Sequence, residues 1–237
     1  MKVTRFLLSV LLLGVTATIS SAQGVVNLSW QTCTGPVDRA VLAGSTGNKV
    51  IASVLGQSAP HQAYQVNVVY GSQGGLRDAW RFDAGGCNDG FMTATHVDAI
   101  VNKTCPGFQG GEGLQIKKWT YDPLTGKTLA IFANAYAQTP ALSPVPTTRY
   151  FLCEWNFDHT FSVVGPSDPG ATCGGLEVAV CAAIQQATWL DMSGAEIPWT
   201  IGQSFVTSND PNHTSGCPGP VPVQSKTWGS LKSQYRN

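Results

Sequence analysis

Apolar and polar residues alternate along most of the chain, in short runs separated by glycine, proline and small polar residues. The alternation is clearest over Ala63–Gly71, where Tyr64, Val66 and Val68 fall on one face and two amides fall on the other. A period of two with many β-branched and aromatic residues is typical of half-buried β-strands. The pattern therefore predicts strands, not helices, over most of the chain.

The predicted strands number about ten and are bounded by turn signals. Pro123 and Gly126 flank a short polar loop and predict a β-hairpin. The alanine-rich segment 179–192 has helical propensity, but we assign it to a strand because it lies among strands and lacks an N-cap residue. The predicted strand segments are 25–30, 49–56, 63–71, 76–82, 113–122, 127–137, 147–164, 176–190 and 197–207.

This order of elements predicts an all-β fold, an antiparallel β-sandwich or jelly roll, spanning residues 23–216. A β-propeller would need blade repeats, and no fixed period is visible. The proline-rich segment 139–146 is interpreted as a loop that crosses from one sheet to the other. Residues 217–237 are interpreted as a connector and a short helix, with apolar residues at helical spacing over 227–236.

The first 22 residues have the pattern of a secretory signal peptide. Lys2 and Arg5 form a basic start, an apolar run follows, and Ser20 and Ala22 are the small residues of a cleavage site. The apolar run is shorter than the ~20 residues of a membrane-spanning helix. Cleavage would leave a chain that begins at Gln23, without a membrane span, in the periplasm or outside the cell.

The charge of the chain is low and balanced, with 14 basic and 14 acidic residues and a charged fraction of 12%. Nucleic-acid-binding and anionic-membrane-binding proteins carry basic patches. We therefore expect neither kind of partner. A low charge density also gives little protection against self-association.

Seven cysteines in an exported chain indicate disulfides, with one cysteine left over. Spacing favours the local bridges Cys87–Cys105 and Cys173–Cys181, and a Cys33–Cys217 bridge is a weaker third. Cys153 would then be the remaining thiol, buried as a small hydrophobe. A zinc site is disfavoured because no CxxC pair exists.

The stretch 79–90, AWRFDAGGCNDG, combines acidic residues, an asparagine and glycines. Asp83, Asn88 and Asp89 are weak candidates for calcium ligands. Their spacing fits no EF-hand pattern, and the same residue types are favoured in tight turns. We therefore interpret the stretch as a turn held by a disulfide, with calcium as the alternative.

No catalytic motif is recognised, and no cofactor is expected. A GxSxG nucleophile motif and a phosphate-binding loop are absent. Paired carboxylates of a glycosidase would have to come from residues whose proximity the sequence does not show. Those candidates are Glu112, Glu154, Asp158 and Glu177.

Histidines and tryptophans complete the candidate chemistry. The four histidines form no metal-binding motif and are interpreted as surface residues: His61, His96, His159 and His213. Exposed tryptophans would bind sugar rings by stacking, but in a strand-rich chain most should belong to the core. The seven are Trp30, Trp80, Trp119, Trp155, Trp189, Trp199 and Trp228.

Four short motifs occur together: VVNLSWxTC, AWRFDAGGCxDG, a TC–VC pair at 172–181, and CPGxxPVxSKTWGSLKSQYR at the end of the sequence. Together they resemble a group of uncharacterised secreted proteins of environmental bacteria. The resemblance implies a Gram-negative source and no particular activity. Members of that group have additional cysteines near Ala43 and Leu176, which puts the third predicted bridge in doubt.

Three functions are compatible with these features. The preferred one is a non-enzymatic, secreted binding or cell-surface module, whose partner would be a glycan or a surface protein. The alternatives are a hydrolase of an extracellular polysaccharide and a structural subunit of a surface layer or filament, which low charge and an unpaired cysteine favour.

Overall fold

The computed structural model describes residues 24–96, 105–108, 113–136, 144–166, 173–213 and 217. The predicted signal peptide and the predicted C-terminal helix lie outside these residues. The described strands are β1 Val25–Trp30, β2 Asp38–Arg39, β3 Asn48–Leu55, β4 Ala63–Gly71, β5 Met92–Thr95, β6 Gly113–Asp122, β7 Lys127–Tyr136, β8 Arg149–Phe157, β9 Val180–Leu190, β10 Glu196–Pro198, β11 Thr200–Ile201 and β12 Phe205–Ser208.

The strands form two sheets that pack into a β-sandwich, which confirms the predicted fold class. The order of the five-stranded sheet is β11-β1-β3-β8-β5. The order of the seven-stranded sheet is β2-β12-β9-β4-β7-β6, with β10 also paired to β9. All pairs are antiparallel except the short pairs β1/β11 and β12/β2.

The core lies between the sheets and is built from the faces that the alternation predicted. Tyr64, Val66, Val68 and Tyr70 of β4 all belong to it. The Tyr64 hydroxyl crosses the core and donates to the backbone oxygen of Leu152 in the opposite sheet. Each fully buried aromatic or aliphatic side chain stabilises the fold by roughly 1.5–3 kcal/mol, so this face helps to hold the two sheets together.

Several local predictions are confirmed. The β6–β7 hairpin turns at 123–126, as the proline and glycine indicated. The alanine-rich segment is a strand, β9, which is central in its sheet. The strands β7 and β8 belong to different sheets, so the chain between them does cross the sandwich.

Three local predictions are wrong, one of them because the predicted strand 147–164 ends at Phe157. Residues 76–82 form no strand but contain a single-turn 3-10 helix, Asp78–Trp80. The buried side chains of Trp80 and Phe82 reach the core from a turn, so their alternating spacing resembled a strand. Conversely, β5 lies between the predicted strand segments 76–82 and 113–122, although buried Met92 and Ala94 alternate with exposed positions there.

The predicted disulfide pairs are wrong as well, although the six cysteines are those assigned to bridges. The observed bridges are Cys33–Cys105, Cys87–Cys173 and Cys181–Cys217. They join residues 72, 86 and 36 positions apart, because strand pairing brings distant segments together. Cys153 is a buried thiol of β8 outside these bridges, as expected.

Strand geometry explains why Cys181 does not pair with Cys173. Cys181 lies inside β9, between the core residues Val180 and Ala182. Its side chain therefore points to the outer face of the seven-stranded sheet. Cys173 belongs instead to a loop at the end of the sandwich, where it lies beside Ser162.

Candidate functional site

One end of the sandwich is formed by three loops that bind to one another through their backbones. These loops are 40–47, 72–91 and 158–166. The His159 N–H donates to the Ser45 oxygen at 2.9 Å, and the Asp158 N–H donates to the Phe91 oxygen at 3.0 Å. The three loops are therefore one connected surface, which we call the loop end.

The stretch 79–90 is a turn fixed to its neighbours by a disulfide and by an amide. The Cys87–Cys173 bridge joins it to the chain beside Ser162. The buried Asn88 amide donates to the Ala79 oxygen at 2.8 Å and to the Ser162 hydroxyl at 2.9 Å. These contacts support the interpretation as a disulfide-held turn, with Cys173 and not Cys105 as the partner.

The three candidate calcium ligands each contact a different protein group. Both Asp83 oxygens accept hydrogen bonds from the Arg81 guanidinium at 2.7 Å. The Asn88 amide points to the contacts described above, and Asp89 accepts from the Gly85 N–H at 3.1 Å. Within the described part of the chain, no group of three histidine, cysteine or acidic side chains is placed to hold a metal.

One residue of the loop end is a buried histidine. His159 has no exposed surface and packs against the rings of Trp80 and Phe82, with centroids 4.6 and 5.1 Å away. Its Nδ1 lies 3.0 Å from the Ser162 hydroxyl. Burial lowers the pKa of His159 to about 4, against a smaller opposing effect of Asp158. The imidazole is therefore neutral at pH 7, and it connects the loop 158–166 to the aromatic residues of the loop 72–91.

Two exposed phenylalanine rings belong to these loops. Phe91 and Phe161 meet edge to face, with centroids 5.1 Å apart and an interplanar angle of 83°. Their side chains are 36% and 58% exposed. Exposed aliphatic residues lie in the same loops, and together with the two rings they define the loop-end patch: Leu42, Phe91, Phe161, Val163 and Val164.

Acidic side chains lie in the loops that carry this patch and in the loop that follows Cys173. Asp89, Asp158 and Glu177 lie in the adjoining loops, and the last accepts a hydrogen bond from the Gly165 N–H at 3.1 Å. The ion pairs found among the described residues are Arg81–Asp83 and Lys49–Glu154, which do not involve them. The loops that carry the loop-end patch therefore present exposed apolar residues together with acidic residues.

The candidate glycosidase carboxylates are in unlike environments. Glu154 is buried in β8 and lies 3.4 Å from the Lys49 ammonium group. Asp158 and Glu177 belong to the loop end, where Asp158 accepts from Thr160. Glu112 lies outside the described residues. The described candidates are therefore divided between a buried ion pair and the loop surface.

The prediction that each histidine lies at the surface is wrong for His61 and His159, neither of which has exposed surface. His61 stacks on Phe108 with ring centroids 4.0 Å apart, and burial lowers its pKa to about 4. The tryptophan prediction is confirmed for the described residues, because all but half-buried Trp119 are buried: Trp30, Trp80, Trp155, Trp189 and Trp199. Trp228 lies outside them.

The loop-end patch was missed by sequence reasoning. Phe161 lies inside the predicted strand segment 147–164. Phe91 lies between predicted strand segments, where the sequence indicates no role for a single aromatic residue. Their only signal in the sequence is that each is a large apolar residue in a polar or glycine-containing stretch. Such a signal does not show that either ring is exposed, nor that two rings 70 positions apart are in contact.

Comparisons with known proteins give a likeness of fold. No protein-family model matches the chain, and no curated protein matches it. A solved cohesin from a type I cohesin–dockerin complex of Clostridium thermocellum is 8% identical, with a TM-score of 0.38, over 79% of this chain and 95% of its own.

Two further cohesins are similar in the same way. A type II cohesin from a cohesin–X-dockerin complex of Acetivibrio cellulolyticus is 11% identical, with a TM-score of 0.39, over 79% of this chain and 99% of its own. A cohesin module of a family 33 glycoside hydrolase from Clostridium perfringens is 11% identical, with a TM-score of 0.37, over 79% and 98%. These likenesses extend to the β-sandwich and no further. Separately, none of the helical structure in the described residues has the length and apolar character needed to cross a bilayer.

Proposed function

We propose that this protein is an exported, non-enzymatic binding module that contacts a protein partner through the loop-end patch. The observation that carries the proposal is the exposed edge-to-face pair of Phe91 and Phe161. Apolar patches with a polar rim, when exposed on a folded domain, mark interaction sites. Export is supported by the three disulfides, which persist in oxidising compartments, and by the predicted signal peptide.

The composition of the patch favours a protein partner over a glycan. Leu42, Val163 and Val164 add exposed aliphatic surface in the same loops as the two rings. A sugar ring stacked on an aromatic side chain also needs hydrogen-bonding groups for its hydroxyls, whereas an aliphatic and aromatic surface suits the apolar centre of a protein interface. The acidic residues of these loops favour a partner that carries lysine or arginine beside its own apolar surface.

The disulfide and the buried contacts of the loop end support the same function. A surface that is already ordered loses little conformational entropy on binding. The disulfide Cys87–Cys173 and the buried contacts of Asn88 and His159 hold the loops that carry the patch. Folding therefore already orders these loops, so binding should lose little further conformational entropy.

The test is site-specific photocross-linking in the organism that encodes the protein. A photoreactive phenylalanine analogue replaces Phe161 in one variant and Met192 in the other. Met192 is also exposed and apolar, but it lies in the β9–β10 turn at the opposite end of β9. We expect the variant at 161 to form a discrete protein adduct that is absent with the variant at 192.

A second pair of variants connects the adduct to the patch. Phe91→Ser should abolish cross-linking from position 161, because it removes the ring that packs against it. Met192→Ser should leave the adduct unchanged. An adduct that persists in Phe91→Ser, or equal adducts from both photoreactive positions, would contradict the proposal. So would cross-linking from position 161 to a glycan alone.

A further inference from the structure

A lysine, a glutamate and an asparagine share one face of the five-stranded sheet, on the paired strands β3 and β8. Lys49 is directly opposite Asn156 in the register of the two strands, and Glu154 is two residues before Asn156. Val50, which follows the lysine, and Trp155, which separates the other two, belong to the core between the sheets. Because side chains alternate along a strand, Lys49, Glu154 and Asn156 point together to the outer face of this sheet.

The lysine and the glutamate form an ion pair that is largely buried. The Lys49 Nζ lies 3.4 Å from the Glu154 Oε1, and the two side chains are 14% and 5% exposed. Ile51, which pairs with Glu154, has no exposed surface and belongs to an apolar cluster that includes the Cys33–Cys105 bridge. A primary amine is therefore held beside a carboxylate at a place where water has little access.

The asparagine places a carboxamide next to this pair. Residues directly opposite each other in an antiparallel pair have Cβ atoms about 4.5–5.5 Å apart, so the Asn156 Cγ is within reach of the long, flexible chain of Lys49. The Asn156 Oδ1 is buried, and in the ranges that the structure describes no group donates a hydrogen bond to it. A buried acceptor without a donor is unfavourable. A protonated Glu154 on the same strand would supply that donor.

We propose that Lys49 and Asn156 form an intramolecular isopeptide bond, with Glu154 as the proton carrier. Glu154 takes one proton from the Lys49 ammonium group, and the free amine attacks the Asn156 Cγ. Glu154 passes this proton to Nδ2, the Cγ–Nδ2 bond breaks, and ammonia leaves. Glu154 then takes a second proton from Nζ, which keeps the third as the amide N–H. The protonated Glu154 can donate to Oδ1, and the reaction needs no co-reactant.

The fold supplies the proximity on which such a reaction depends, because a carboxamide is a poor electrophile. Groups held together in a suitable geometry react as if one were present at an effective concentration of about 10⁵ M or more. The strands β3 and β8 are both internal to their sheet, so they hold the amine and the amide together for as long as the protein is folded. This inference does not depend on the binding function proposed above, because none of the three residues belongs to the loop-end patch.

The test is peptide mapping by mass spectrometry of the full chain after its disulfides have been reduced. We expect a branched peptide in which Lys49 is joined to Asn156, with a mass about 17 Da below the sum of the two linear peptides, because ammonia is lost. Trypsin should not cleave after Lys49, since an acylated lysine carries no charge. Assignment of the branch point separates this bond from cyclisation of an N-terminal Gln23, which also releases ammonia.

Three variants assign a role to each residue. Lys49→Arg keeps a positive charge beside Glu154 but removes the nucleophile, and Asn156→Ser removes the electrophile, so neither should contain the branched peptide. Glu154→Gln keeps both reacting groups and removes the proton carrier, so the linked fraction should fall at least about 10-fold. The matched control is Lys118→Arg, at an exposed position of β6, which should be linked to the same extent as the parent.

Two outcomes would overturn the proposal. One is a parent protein that trypsin cleaves after Lys49 and that contains no branched peptide. The other is a Glu154→Gln variant that is linked as completely as the parent, because the carboxylate would then carry no proton. Circular dichroism and the three native bridges show whether each variant is folded. If Glu154→Gln does not fold, the parent and Lys49→Arg still decide whether the bond forms, and Glu154→Ala replaces the first variant.

Discussion

Acidification should destabilise the protein through two buried histidines. His61 and His159 each have a pKa of about 4 in the fold, because burial disfavours the imidazolium ion. In the unfolded chain a histidine has a pKa of about 6.5. The unfolded state therefore binds protons first. The stabilisation by each neutral imidazole is complete above pH 6.5 and is lost as the pH falls towards 4.

The size of the effect follows from these values. A change of one pKa unit corresponds to about 1.4 kcal/mol. Between pH 7.5 and pH 5, each histidine should lower the free energy of unfolding by about 2 kcal/mol, or about 4 kcal/mol for the pair. That sum is a large fraction of the stability of a typical domain. The assay is urea denaturation at the two pH values with the disulfides intact, followed by tryptophan fluorescence.

One substitution isolates His61 from other titrating groups. His61→Phe keeps a ring stacked on Phe108, where the centroids are now 4.0 Å apart, but removes the proton-binding site. The loss of stability between pH 7.5 and pH 5 should shrink by about 2 kcal/mol. Phe108→Leu is the control, since it weakens the same packing and retains the imidazole. A pH dependence in His61→Phe equal to that of the parent would refute the reasoning.

Three further results are expected. Replacing Cys87 and Cys173 together by alanine should cost about 4–5 kcal/mol, because the bridge closes a loop of 86 residues, and a loss below about 1 kcal/mol on denaturation would contradict this. Gly126→Ala should lower the melting temperature more than Gly74→Ala. Both glycines have positive φ, but only at Gly126 would a Cβ lie 2.7 Å from the Gly75 Cα, so equal effects would argue against the close approach. Calcium and EDTA should leave the melting temperature unchanged, since the candidate ligands contact protein groups, and a calcium-dependent rise would restore the calcium alternative.

The sandwich was predictable where a strand has one buried face. In β4 the alternation of Tyr64, Val66 and Val68 with polar residues identifies both the strand and its inner face. The segment with Trp80 and Phe82 shows the limit of this reasoning, because a turn can also place every second side chain in a core. A period of two in the sequence therefore does not by itself distinguish a strand from such a turn.

The contacts between distant segments were not predictable. The disulfide pairs depend on which strand ends become neighbours, and the burial of His61 depends on a ring 47 positions later, at Phe108. The loop-end patch has the same origin, since Phe91 and Phe161 meet only because β5 and β8 are adjacent in one sheet. The sequence identified the types of residue involved, but it did not show which of these residues become neighbours.

The arrangement of the bridges has a consequence for oxidative folding. The first two interleave along the chain, in the order Cys33, Cys87, Cys105, Cys173. Shorter loops close more readily in a disordered chain, so local pairings such as Cys173–Cys181 should form first. Neither partner of that pairing keeps it in the finished molecule. We therefore expect maturation to include thiol–disulfide exchange, and the yield should depend on a catalyst of disulfide isomerisation and not on oxidising strength alone.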